Sequence, residues 1–374
     1  MTTTTLEHVR TPDRSPPITK VGPIAWLRES FFSSISSTIL TLIGIYILYI
    51  IIPPIIDWAI FKSIVSGSDR SVCDANPAGA CWTFIKVRFN QFMFGLYYAA
   101  NPDQIWRPVL VFAILVSLIV ALLSPSVPRK LYIGAFTLFV FPFLVFALIH
   151  GSWLGLPVAD TDQWGGLMLT LVLAFAGIVL AFPLGILMAL GRQSDLPVIR
   201  WMCTLYIELW RAAPLITILF MASVMLPLFL PQGVDIDKVL RAIVGIALFQ
   251  SAYTAEAIRG GLQALPKGQY EAADALGLGY WKKTLLIILP QALTISIPSI
   301  VNTFIALFKD TSLVSIIGLF DLTGTGTAAA RSLEWKGFDI TAYIFVAFIY
   351  WIFCFGMSRY STNLEKKLDT SHRH

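Results

Sequence analysis

The chain has 374 residues, of which 56% are apolar and only 13% charged, about half the charged share of an average globular domain. So few charges cannot cover a soluble protein of this length, so the composition excludes one and points to an integral membrane protein. The net charge of +5 is no nucleic-acid footprint in such a chain, because positive charge beside membrane spans is first of all a topology signal.

The polar leader, Met1 to about Ser34, is rich in Thr, Pro and Arg and is expected to be flexible. It shows no cleavable signal pattern, since the first apolar run begins only near Ile39. Eight apolar runs follow as candidate spans, at about 36–56, 108–123, 131–150, 165–190, 201–230, 239–258, 285–308 and 338–358. Each must supply about 20 residues to cross roughly 30 Å of hydrocarbon, and the second is short for the task. With the N-terminus in the cytoplasm, the inner segments hold 16 Lys and Arg residues and the outer ones 10. That bias favours both ends inside. No internal repeat is visible.

The only sizeable outer loop is 57–107. Its "SVCDANPAGACW" carries Cys73 and Cys81, with Pro77 and Gly79 to turn the chain. In an oxidising periplasm this suits a local disulfide; two unpaired thiols are the alternative. Cys203 and Cys354 fall in spans and read as packing residues. The four histidines, His8, His150, His372 and His374, have no metal-ligand spacing, so no metal site is expected.

Charges inside spans are costly and default to a paired or functional role. Glu208 and Arg211 are three residues apart on one helical face. The plain reading is an internal ion pair. The sharper one is a substrate contact, because a zwitterion needs an anion for its ammonium and a cation for its carboxylate. Glu256 falls near the cytoplasmic end of its span beside Arg259, where it faces water or braces the loop that follows.

That loop holds "EAADALGLGYWKKTLLIILP", Glu271 to Pro290. Pro266 and Gly268 punctuate the chain before it, and Glu271 then sits early in a helix, at the positive end of its dipole. Ala272, Ala273 and Ala275 admit a close partner, Leu276 and Leu278 offer apolar contact, and Gly277 permits a bend. Pro290 fits if it begins the next span. Such a helix can seat in a groove of another protein and push on the span behind it. The plainer alternative is a surface helix anchored at the headgroups by Trp281, Lys282 and Lys283. The stretch 285–320 is too long for one straight span: Pro290 and Pro298 interrupt it, and "KDTSL" breaks its apolarity. Asp310 beside Lys309 then marks a possible outer gate, and Thr311 or Ser312 is expected to cap the next helix. Glu208, Arg211, Glu256, Asp310, Thr311 and Ser312 are thus the candidate substrate-pathway residues.

The pattern Glu271-Ala272-Ala273, Gly277 and Ile287-x-Leu289-Pro290 resembles the EAA loop of ABC importer permeases, which docks on the ATP-hydrolysing subunit. The segments "ELWRAAPL" (Glu208–Leu215), "AYTAEAIRGGLQALPKGQYEAA" (Ala252–Ala273) and "KDTSLVSIIGL" (Lys309–Leu319) resemble the polar amino-acid uptake branch. Similarity covers about 162–364. The long first half with its Cys-containing loop resembles subunits of general L-amino-acid and glutamate/glutamine/aspartate/asparagine transporters.

The resemblance implies an all-α polytopic protein of about eight transmembrane helices with a type I importer core. Its layout would be a tail at 1–34, an extension at 35–161 with three transmembrane helices, a core at 162–364 with a coupling loop at 256–290, and a tail at 365–374. Glu271, Ala272, Ala273, Asp274, Leu276 and Gly277 would be the coupling residues. The chain has no G-x-x-x-x-G-K-[ST] loop. No cofactor is therefore expected on it, and ATP and Mg would belong to a separate dimer of ABC ATPase subunits. The other implied partners are a periplasmic amino-acid-binding protein, a second and different permease subunit and the lipid bilayer of the bacterial inner membrane. An ion-coupled secondary amino-acid transporter, the alternative, would show inverted repeats with matching broken helices, and none is found. A membrane enzyme would carry a His-rich cluster, an H-E-x-x-H or a G-x-S-x-G, and none occurs.

Overall fold

Residues 22–124, 127–231, 233–234 and 236–368 are described in the computed structural model. Helix is the only extended regular structure among them, with just two isolated bridges, Ile64 to Cys81 and Gly166 to Asp321. The chain is all-α, as the apolar runs require of a lipid-embedded backbone that must satisfy its own hydrogen bonds. It forms two compact units. One ends at Gly67 and takes in Ser71–Cys81; the other holds Ser68–Arg70 and runs on from Trp82.

The first unit begins within the expected leader, 1–34. Its first 21 residues lie outside those described, but Pro23–Phe31 is a helix with proline in its first turn. The first span, Ile35–Ile56, starts at Ser34, whose side chain accepts from the Ser37 amide at 3.2 Å. It buries no residue. An evenly apolar, unpacked helix of this length is what hydrocarbon selects. The prolines at 53 and 54 cannot donate to their carbonyl partners, and the helix widens into a π-turn over Asp57–Phe61. Cys73 and Cys81 are bridged, with Cα atoms 5.7 Å apart. Cys203 and Cys354 are free, the former buried.

In the second unit, helices Gly166–Arg192 and Lys238–Ala264 pack along each other, and Leu289–Asp310 lies against the latter. Gly261 permits that approach: a Cβ there would run into the Ser296 hydroxyl and the Ala292 carbonyl. Asp339–Leu368 covers Leu289–Asp310 in turn. Phe141, Val145 and Ile149 share one core with Met168, Leu173 and Ile246. The boundary expected at 161 therefore does not separate two compact units. The tail expected from 365 is helical to Leu368, and 369–374 lie outside the described residues.

Among the described residues, five helices are long and apolar enough to cross a membrane, or seven if each of two bent pairs counts as one. The expected run 131–150 is Lys130–Phe139 and Phe141–His150, bent by 45°, with Pro142 just past the joint. The expected run 201–230 is Pro197–Ala212 and Leu215–Phe229, bent by 98°. Ala213 and Pro214 are extended there, because a proline forces its predecessor out of helical geometry. The sixth expected span, 239–258, is the helix Lys238–Ala264 but is too polar to count. Its buried Gln250 donates to the Thr303 carbonyl at 2.9 Å, and its buried Arg241 to the Ser223 carbonyl at 2.7 Å. Polar groups at that depth face protein, which supplies the partners lipid cannot.

Candidate functional site

Helix Lys267–Ala275 lies between two long helices. Pro266 ends the preceding one by holding Leu265 extended. Its own end is fixed by backbone chemistry. The Gly277 amide donates to the Asp274 carbonyl at 2.9 Å and the Leu278 amide to the Ala273 carbonyl at 3.3 Å. This pair of bonds needs a left-handed residue between them, and Gly277 supplies it with φ of 69°. Nothing lies within 4 Å of the place a Cβ would take there, so conformation and not space selects the glycine.

The two faces of this helix differ. Ala273 is 1% exposed, packed inside this chain, and Tyr270, three residues earlier, is half-buried and donates to the Leu262 carbonyl at 3.3 Å. Burial pushes the Tyr270 phenol upward, against a smaller opposing effect of Lys283. Glu271, Ala272, Ala275 and Leu276 share the opposite, exposed face, with Leu276 75% exposed. Ala273 was expected on the docking face with Ala272; this is a correction, since adjacent helical residues lie about 100° apart and the small one turned inward seats the helix on its own chain. Asp274, also expected there, is exposed but pairs with Lys283 at 2.6 Å. Lys283 is therefore tied to the turn, not released as a headgroup anchor. Gln291 donates to the Gln269 side chain at 3.1 Å. The helix is thus fastened to the residues before and after it.

Eleven residues before the helix begins, Glu256 is the centre of a charged brace. Glu256 accepts from Arg192 at 2.7 Å and from two nitrogens of Arg259 at 2.9 and 3.0 Å, and Arg211 stands 3.6 Å away. Arg192 reaches on to Glu208 at 3.0 Å. The expected Glu208–Arg211 pair does not form. Three helices meet here, so Glu208 turns to Arg192 at the end of one and Arg211 to Glu256 and the Tyr253 ring, 5.6 Å away, on another. In this arrangement both groups are engaged by other helices.

The outer candidates are not gathered with these. Asp310, half-buried, ends its helix and makes no ion pair among the described residues. Thr311 is buried and donates to the Phe308 carbonyl at 2.7 Å; the Ser312 carbonyl accepts from Ser315 at 2.9 Å. Neither side chain caps a new helix. The chain tightens straight into a 3₁₀ turn over Thr311–Ile317, so no fresh amides are left to cap.

The sequence reading missed Asp321. It is fully buried and accepts from the Gly324 and Thr323 amides at 2.9 and 3.1 Å and from the Tyr350 hydroxyl at 3.0 Å. Burial pushes its carboxyl upward, against these donors. It caps helix Leu322–Arg331, whose first amide donates to Thr170 at 3.0 Å. The signal was an aspartate three residues ahead of a glycine at a helix start.

Residues 181–370 match the model of the family described as the binding-protein-dependent transport system inner membrane component. The chain belongs to that family. It is a multi-pass transport component of the bacterial inner membrane and not itself an enzyme. The chain is 52% identical over 348 residues to the inner membrane amino-acid ABC transporter permease protein YhdY of Escherichia coli K12, covering 93% of each. It is 40% identical over 427 residues to the glutamate/glutamine/aspartate/asparagine transport system permease protein BztC of Rhodobacter capsulatus, covering 96% of this chain and 97% of that one. A crystal structure of an amino acid ABC transporter with histidines is 32% identical, with TM-score 0.48, over 54% of this chain and 92% of that one.

The brace yields an expected order of stabilities. Glu256→Gln leaves three guanidiniums around a neutral group and should cost about 1–3 kcal/mol, between the ranges for exposed and buried pairs. Glu208→Gln, on a half-exposed side chain, should cost under about 1 kcal/mol. Thermal unfolding of the purified variants should place wild type highest, Glu208→Gln just below and Glu256→Gln clearly lowest. Equal midpoints for the two variants would remove Glu256 as the hub.

Proposed function

We propose that this chain is the permease subunit of an ATP-driven importer moving amino acids, polar or broad-range L-amino acids, from periplasm to cytoplasm. The observation that carries the reading is the two-faced helix 267–275: locked to its own chain by Ala273 and Asp274, open to a partner through Glu271, Ala272, Ala275 and Leu276. Small side chains around one protruding leucine suit a shallow groove. The transport functions of the relatives above support the substrate class. The partner on this face is an ATPase subunit, one of a pair that uses ATP and Mg; a periplasmic binding protein delivers substrate, and a second, different permease completes the pathway. Both termini lie in the cytoplasm, as the Lys and Arg distribution favours, and helix 267–275 faces that side. Glu208, Arg211 and Glu256 brace the coupling region. Asp310, Thr311 and Ser312 are the pathway candidates, with the unpaired Asp310 carboxylate suited to a substrate ammonium.

Ala272→Trp and Leu276→Asp test the docking face. Overpacking a fitted contact costs about 1–3 kcal/mol, and burying an unpaired carboxylate costs more. Both variants should insert and pair normally yet lose co-purifying ATPase and amino-acid uptake together. Retention of both in each variant would end the assignment. Ala273→Trp differs: it should lower the thermal stability of the permease itself. For orientation, alkaline phosphatase fused after Leu368 should be inactive, and an active fusion would invert the topology.

A further inference from the structure

A cavity of about 750 Å³ lies in the second unit between the bent helix pair 130–150, helix 106–123 and helix 166–192. Transport as proposed above makes no use of it. Leu171, Phe175, Val179 and Pro183 line it at intervals of four residues, so one face of a single helix forms its long wall. Phe139 and Phe143 line it from the helix pair that bends by 45° at Val140, and Phe112 and Leu115 line it from helix 106–123. The lining is almost wholly apolar.

Polar side chains gather at one end alone. There Thr161 donates to Asp237, and His150 shares a hydrogen bond with Ser152 at 2.8 Å. Trp153 packs edge-on against Phe146, whose ring also stacks on His150. From Leu171 to Pro183 the wall runs about 18 Å at 1.5 Å per residue. The hydrocarbon of one leaflet is about 15 Å deep. A transmembrane helix from another protein would need twice that length. Water would find almost no partners along these walls.

We propose that this cleft holds the acyl chain of a phospholipid from the leaflet on the 151–164 side, its headgroup at the His150 rim. The walls belong to membrane-spanning helices, so hydrocarbon is what meets them laterally. Leaving lipid for this site gains no hydrophobic transfer energy; close contact along a fitted wall is what retains the chain. Such a lipid fills the joint between helices 106–150 and helix 166–192. The inference goes beyond the transport reading and stands or falls separately from it.

Native mass spectrometry and phosphorus assay of the complex in mild detergent provide the test. Ala176 and Val172 both line the cavity, so Ala176→Trp and Val172→Trp fill it. Leu187, on the same helix but outside the cavity and 58% exposed, gives Leu187→Trp as control. Wild type and control should retain a phospholipid that both filled variants lose. A phospholipid with a photoreactive acyl chain, added to wild type, should label peptides 171–183 and 139–146, a readout independent of how the variants fold. Wild type without bound lipid, filled variants that keep it, labelling confined to other surfaces, or a small membrane protein found in its place would each overturn the proposal.

Discussion

One carboxylate, Glu256, sets the geometry of the region before helix 267–275. Three guanidiniums from three helices converge on it, so the ends of helices 166–192, 197–212 and 238–264 are held in one register. A partly exposed ion cluster of this kind adds little net stability. Its value lies in direction, because the bidentate contact from Arg259 admits few alternative arrangements. Eleven residues beyond Glu256 the docking helix begins. A displacement there meets a chain that is already fixed.

The same economy governs the turn into the next span. Two backbone bonds around Gly277 close helix 267–275, and Lys283 returns to Asp274 from the far side of the turn. The following helix begins at Tyr280, passes through a π-turn over Thr284–Ile288 and continues to Asp310. Force on the exposed face therefore travels into a span without crossing a flexible linker. Elsewhere in the core a buried acid, Asp321, ties the start of helix 322–331 to its neighbours. Each of these two places thus rests on one carboxylate with several donors.

Much of this was legible in the sequence. Hydropathy located the helices that lipid surrounds, because there the burial pattern and the apolar run are the same thing. The eight-residue spacing of Cys73 and Cys81 fitted the bridge that forms. Hydropathy failed where tertiary neighbours decide. An apolar run reads straight through Ala213–Pro214, although the chain turns by 98° there. Glu208 and Arg211 have ideal spacing for a pair, yet each finds a partner on another helix. Alanine is the hardest case: Ala272 and Ala273 are chemically identical, and only packing tells which one faces inward.

As proposed, the exposed face of helix 267–275 seats on the ATP-hydrolysing partner. A photoreactive residue in place of Leu276, activated in intact membranes, tests it directly. Position 276 should give a covalent product with the ATPase subunit, and the same residue placed at Leu333, exposed far along the chain from this helix, should give none. Labelling of lipid alone from position 276 would contradict it and leave the helix as a headgroup anchor.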